Sequence, residues 1–177
     1  GLKEELFGYV PGGYANVLAR FGEELRQQGV EIRLSTRVGR IARGGQGMVV
    51  EIEGQPSWTG DQVIVTAPAP VAAALCEGLN EDETRRLKGI CYQGIVCASL
   101  LLKKPLTSFY VTNILDQGFP FTGVIGTSTL VDKDKYLGGR DLVYLPRYLP
   151  CEDPFFEVPD EEVRESFLAG LERMYPE

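Results

Sequence analysis

The run from Tyr92 to Leu102 limits the fold more than any other stretch of this chain. Within it Ile95, Cys97 and Leu101 alternate with Val96, Ala98 and Leu100, so both faces of an extended backbone are apolar. Successive strand side chains point to opposite sides. Such a strand must be covered on both faces, or covered on one while the other lines an apolar cavity. The stretches Phe109–Leu115, Gly123–Leu130 and Asp141–Tyr148 also read as strands, separated by turn-rich connectors. A helix is expected to follow over Pro159–Met174, with Val163, Phe167, Leu168, Leu171 and Met174 on one face. Asp160, Glu161, Glu162 and Glu165 stand in its first turns, where the helix dipole favours acids.

The first part of the chain has a different grain. After Gly12-Gly13, the residues Tyr14, Val17, Leu18, Phe21 and Leu25 form an apolar helical stripe that Gly29 terminates. Val30, Ile32 and Leu34 alternate with Glu31 and Arg33, the pattern of a strand. Val38–Arg43 and Met48–Glu53 flank Gly44-Gly45-Gln46-Gly47 and predict a hairpin. Val63-Ile64-Val65-Thr66 reads as a buried strand ended by Ala67-Pro68-Ala69-Pro70. Two helices follow, one over Val71–Leu75 and one capped by Asn80 ahead of Glu81-Asp82-Glu83.

Composition narrows the chemistry. At 177 residues the chain can hold one core or two lobes. Its net charge of −7 gives no positive field for a phosphate backbone, so no nucleic-acid partner is expected. No apolar stretch approaches the ~20 residues of a transmembrane helix, and residues 1–20 lack the layout of a signal peptide. The sequence contains no histidine, which removes the Ser-His-Asp and Cys-His arrangements and the commonest metal ligand. Cys76, Cys91, Cys97 and Cys151 form no CxxC pair; they read as buried free thiols suited to a reducing cytoplasm, and no metal site is expected. No two carboxylates are spaced so as to single out an acid/base couple, so no catalytic residue is named.

The ordered set Gly12-Gly13-Tyr14, Leu18, Leu25, Gly29-Val30-Glu31-Ile32, Thr36-Arg37-Val38, Ile41, the hairpin and Asp61–Pro68 resembles the middle of the flavin-containing amine oxidase superfamily, which includes protoporphyrinogen oxidases and phytoene-desaturase-like enzymes. The resemblance covers residues 8–75 and continues only as a general order of elements. It implies an α+β fold: a mixed, mostly antiparallel sheet backed by helices as substrate domain, plus strands and a helix left from a Rossmann-type FAD-binding domain. The expected division is residues 1–79 for the FAD-binding segment with its hairpin and 80–177 for the substrate-binding domain.

The resemblance further implies FAD as cofactor. Val38 would meet the adenine through its main chain, and Thr66, Ala67 and Pro68 would lie beside the ribityl and pyrophosphate portion. The flavin would accept a hydride from a C–N or C–C bond of an apolar or amine substrate. A flavin-dependent isomerase or mutase, or a non-catalytic binding module of the same fold, are the alternatives. Two roles are open to the aromatic residues Tyr92, Phe109, Tyr110, Phe119 and Phe121: ordinary core, or the wall of a substrate pocket with Asn113 as its polar group. No GxGxxG turn occurs. Gly1-Leu2-Lys3 and the end at Glu177 read as cut, so the chain is expected to be an internal fragment that lacks its flanking segments and cannot by itself hold FAD tightly.

Overall fold

The structure is a computed structural model that describes residues 8–176; Gly1–Lys3 and Glu177, read above as cut ends, lie outside the described residues. It divides into two compact units, one of Glu24–Cys91 and one of the residues up to Glu23 together with Tyr92 onward. Helix α1 (Gly13–Gln27) runs from one unit into the other. Its end is built as expected, with Gly29 at φ +85° and the Val30 amide donating to the Leu25 carbonyl at 3.0 Å. Its apolar stripe is not buried: Tyr14, Leu18 and Phe21 are exposed.

In the Glu24–Cys91 unit, β1 (Val38–Gly44) and β2 (Gly47–Ile52) form the expected hairpin, with Gly44 opposite Gly47. A short strand β3 (Trp58–Gly60), not foreseen from the sequence, adds to the other side of β2. Helix α2 (Ala69–Leu75) has a proline in its first turn, which costs no hydrogen bond there. The chain then makes a single parallel bridge, Ile41 to Cys76, with the Glu77 amide donating to the Ile41 carbonyl at 2.8 Å. Ile41, Ala42 and Ala72 are the buried apolar residues of this unit. Helix α3 (Glu81–Lys88) carries a complete capping box: Asn80 accepts from the Glu83 amide, and Glu83 accepts from the Asn80 amide, both at 2.8 Å.

Two expected strands are corrected. Val30–Leu34 and Val63–Thr66 belong to neither sheet and carry no ladder. Their β-branched composition suits a pleated surface, but a strand exists only beside a partner.

The second unit holds an antiparallel sheet in the order β4 (Gln93–Leu102), β7 (Asp141–Pro150), β6 (Gly123–Gly126), β5 (Val111–Asn113). The chain is thus α+β, as expected. The long β4 and β7 pair in unbroken register from Gln93↔Pro150 to Leu102↔Asp141. Between β6 and β7 a short helix α4 (Lys133–Tyr136) follows a 3₁₀ turn over Thr127–Thr129. Asp141 is the one buried acid among the described residues; it accepts from Ser128 Oγ at 2.7 Å and from Lys133 Nζ at 3.3 Å, tying the start of β7 to both turns.

Helix α5 (Asp160–Met174) covers one face of this sheet. The core is Val124, Val143, Leu145, Phe121, Phe167 and Leu171, with Phe121 and Phe167 edge to face at 5.6 Å between centroids. The cysteines are free, but Cys91, Cys97 and Cys151 are exposed and Cys76 is half-buried, so the expectation of buried thiols is corrected. For Cys97 the reason is its parity on β4.

Candidate functional site

Register decides which side chains share a face. Residues directly opposite across an antiparallel pair project to the same side. Val143 and Leu145 are in the core, so their β4 partners Leu100 and Ala98 face α5. The other parity of β4 is Gln93, Ile95, Cys97, Ser99 and Leu101, all exposed. Opposite them on β7 stand Tyr148, Pro146, Tyr144 and Leu142. The face continues through Ile125, which pairs with Tyr144, and on to Val111, which pairs with Ile125.

This open face carries no charged side chain. Ile95 and Leu101, on the edge strand β4, and Tyr148, on β7, are 48%, 54% and 51% exposed. Gln93, Cys97, Ser99, Asn113 and the hydroxyls of Tyr144 and Tyr148 supply its polar groups. Partial desolvation by its neighbours pushes the Cys97 thiol above its ordinary value of 9.0, opposed by a hydrogen bond with the Leu145 backbone, so it is a neutral thiol at physiological pH. An uncharged apolar face with scattered hydroxyl, thiol and amide groups can bind and orient an apolar molecule; it holds no acid/base couple.

The sequence-derived pocket residues fall into three groups. Asn113 is the last residue of β5, opposite Gly123, and lies on the open face by its parity with Val111. Phe119 and Phe121 lie on the α5 side: Phe121 is 2% exposed in the core, and Phe119 stacks under the Arg173 guanidinium at 3.9 Å. Tyr92, Phe109 and Tyr110 precede strands. The Tyr92 carbonyl accepts from Cys151 Sγ at 3.0 Å, Phe109 is exposed, and the Tyr110 carbonyl accepts from the Gly126 amide at 2.8 Å. The structure does not bring all six to one surface. Ser99, Tyr144 and Tyr148 were not singled out, although the alternation within β4 and β7 marks them.

The residues read as cofactor-facing lie in the other unit. Val38 opens β1 opposite Ile52, at a break in register before Arg40. Thr66 and Ala67 lie outside any strand, and the Pro68 carbonyl accepts the Ala72 amide at 2.9 Å to start α2. The described residues contain no glycine-rich strand–turn–helix. The entrance of α1 is the nearest thing to one, and it is filled by its own side chains: a Cβ on Gly12 would strike the Asn16 amide, and one on Gly13 would lie 2.6 Å from the Tyr9 hydroxyl. The described residues therefore contain no phosphate cradle for a dinucleotide. They hold no cluster of acidic, cysteine or histidine side chains fit for a metal ion among the described residues, and no described helix is long and apolar enough to cross a membrane.

The family model for flavin containing amine oxidoreductases matches residues 3–177. No protein of curated function matches the chain. Among solved structures, a protein from Exiguobacterium sp. 255-15 assigned as a protoporphyrinogen oxidase aligns with TM-score 0.76 at 15% identity, over 93% of this chain and 36% of that one. A putrescine oxidase with putrescine bound aligns with TM-score 0.68 at 19% identity, over 93% and 35%. A reduced UDP-galactopyranose mutase aligns with TM-score 0.70 at 15% identity, over 92% and 35%. The chain thus spans little more than a third of the length of these proteins, and at such identities the likeness is one of fold.

Proposed function

We propose, for a chain that belongs to the family of flavin containing amine oxidoreductases, that residues 80–177 form the substrate-binding section of an FAD-dependent oxidoreductase and residues 1–79 a segment of its FAD-binding domain. The observation that carries this reading is the open, uncharged face of the β4–β7–β6–β5 sheet. Ten-residue strands backed by a helix on one side and open along β4 on the other, with Pro146 buried and Leu142 and Tyr144 half-buried beside it, make a rigid wall against which an apolar substrate can lie. In this reading Ile95, Leu101, Tyr144 and Tyr148 supply the surface, Ser99 and Asn113 orient the substrate, Tyr92, Phe109 and Tyr110 flank it, and Phe119 and Phe121 stiffen the wall from the α5 side.

The redox chemistry is the cofactor's: a flavin accepts a hydride from a C–N or C–C bond, and protein groups position the substrate and keep water away. Because the residues present do not make a phosphate cradle, the flavin is held chiefly by parts of the protein outside them. Val38, through its main chain, and Thr66–Pro68 are the contribution proposed for this chain. The 177 residues alone are then inactive, and FAD added to them keeps its free fluorescence.

The test uses the full-length protein. It should purify with flavin absorption, or gain it on reconstitution, and anaerobic substrate should bleach it. Ser99→Trp, which fills the wall, should raise KM about tenfold or more with flavin content unchanged. A full-length protein that never takes up flavin defeats the reading. The likeness to a mutase supports a second reading, a flavin-dependent rearrangement without net oxidation. Product formed without consumption of any electron acceptor selects it. Intact fold and flavin with no turnover of either kind leaves a binding module.

A further inference from the structure

On the α5 side of the sheet, away from the open face, two arginines converge on one loop. Arg147, on β7 with the parity of the core residues Val143 and Leu145, donates from Nη1 to the Pro120 carbonyl at 3.5 Å; its guanidinium carbon sits 3.9 Å from the centre of the Phe155 ring. Arg173, in the last turn of α5, donates from Nη2 to the Gly118 carbonyl at 2.8 Å and sits 3.9 Å from the centre of the Phe119 ring. Both line a cavity of about 500 Å³ whose remaining wall includes Ser166 and Gly170 of α5.

What sets this pair apart is that two guanidiniums without an ion pair, each over a phenylalanine ring, line the same cavity. In a chain of net charge −7, Arg20, Arg33, Arg37, Arg40, Arg85 and Arg164 each meet a carboxylate. Neither Arg147 nor Arg173 forms an ion pair among the described residues. Each has five N–H donors, and the structure gives each one carbonyl acceptor. Stacking on a phenylalanine fixes each guanidinium plane and leaves its edge free to donate, the arrangement that suits forked oxyanion recognition. One fork satisfies both oxygens of a planar carboxylate. Two forks carried by different elements call for an anion with oxygens in more than one plane.

We propose that this cavity binds a tetrahedral oxyanion, a phosphate or phosphate monoester, between Arg147 and Arg173, with the Ser166 hydroxyl as a further donor. The site is independent of the substrate wall, since it lies on the opposite face of the sheet.

The experiment is a calorimetric titration of the full chain with inorganic phosphate at low ionic strength. Saturable binding is expected, weakened about tenfold or more in Arg147→Gln and in Arg173→Gln, and weakened as the salt concentration rises. These arginines also brace the 118–120 loop, so Ser166→Glu is the decisive variant. It puts a carboxylate on an exposed position of α5, leaves both stacked arginines in place, and should abolish phosphate binding without shifting thermal unfolding in phosphate-free buffer. No saturable binding to the unsubstituted chain, or undiminished binding to Ser166→Glu, overturns the proposal. Succinate binding as tightly as phosphate overturns the tetrahedral assignment.

Discussion

At Arg40 one side chain holds three pieces of backbone together. Its guanidinium reaches Glu51 on the paired strand β2 and, with two nitrogens, Glu77 beyond α2. The hydrogen bond from Arg40 is the main cause that holds the Glu77 carboxyl below its ordinary 4.5, with charge attraction adding and partial burial opposing. A carboxyl depressed in the folded state stabilises fully above its unfolded value, and that contribution is lost as pH falls through the folded one. The window is therefore below about pH 4.5. Replacing Arg40 by Met should return the Glu77 titration to the ordinary range and remove its share of the acid-side fall in stability. Carbon-detected NMR of the Glu77 carboxyl checks this, and an unmoved midpoint refutes it.

Gly170 is a second residue where atoms decide. In an α-helix, Gly→Ala normally stabilises by about 1 kcal/mol. Here the new Cβ would come within 2.7 Å of the Pro120 ring and 3.1 Å of Phe121, both packed under α5. Overpacking costs of about 1–3 kcal/mol outweigh the helix gain, so Gly170→Ala should lower the urea midpoint. A rise would show that the loop yields freely.

Among the elements, α3 stands on its ends. None of its residues is buried, so tertiary packing gives it little. Its supports are the Asn80–Glu83 box, acids in the first turn, and Arg85, Arg86 and Lys88 in the last. Asn80→Ala should cost about 1 kcal/mol, with Asn80→Ser close to neutral, read as faster amide exchange confined to α3. Equal exchange in the Ala variant would mean that packing carries the helix after all. This element was legible because its signals are local: a cap, a charge gradient and a glycine lie within ten residues. So were α1, the β1–β2 hairpin and α5. The double-sided apolar character of β4 was legible too, but which parity would be covered was not, because the answer is set by pairing with β7, some 40 residues on. Phe119 and Phe121 illustrate the same limit: nothing in an aromatic side chain states which side of a sheet it will take. Val30–Leu34 and Val63–Thr66 erred in the other direction, since their patterns describe a surface that accepts partners and cannot supply them.

The molecule as a whole leaves unusual amounts of patterned apolar surface bare. Tyr14, Leu18 and Phe21 on α1 are 81%, 62% and 60% exposed, and Leu34 and Ile64, in the two stretches without a ladder, reach 78% and 89%. Scattered exposed apolar residues are ordinary, but a periodic stripe is what a helix shows to a surface it packs against. If the stripe is bare, the isolated chain should self-associate in spite of its −7 charge. Leu18→Lys combined with Phe21→Lys should then shift it toward monomer in sedimentation velocity. Unfolding of the β4–β7 sheet should be unchanged, because that core lies among Val143, Leu145 and Phe167. In the full-length flavoprotein proposed here the sign reverses. There the stripe is packed, each large side chain is worth about 1.5–3 kcal/mol of burial, and the same double substitution should destabilise by several kcal/mol and loosen the flavin. The two measurements separate a face that is covered from one that is merely sticky: a double variant harmless in both settings would mean that nothing packs on α1, and the proposed placement of residues 1–79 in an FAD-binding domain would fall with it.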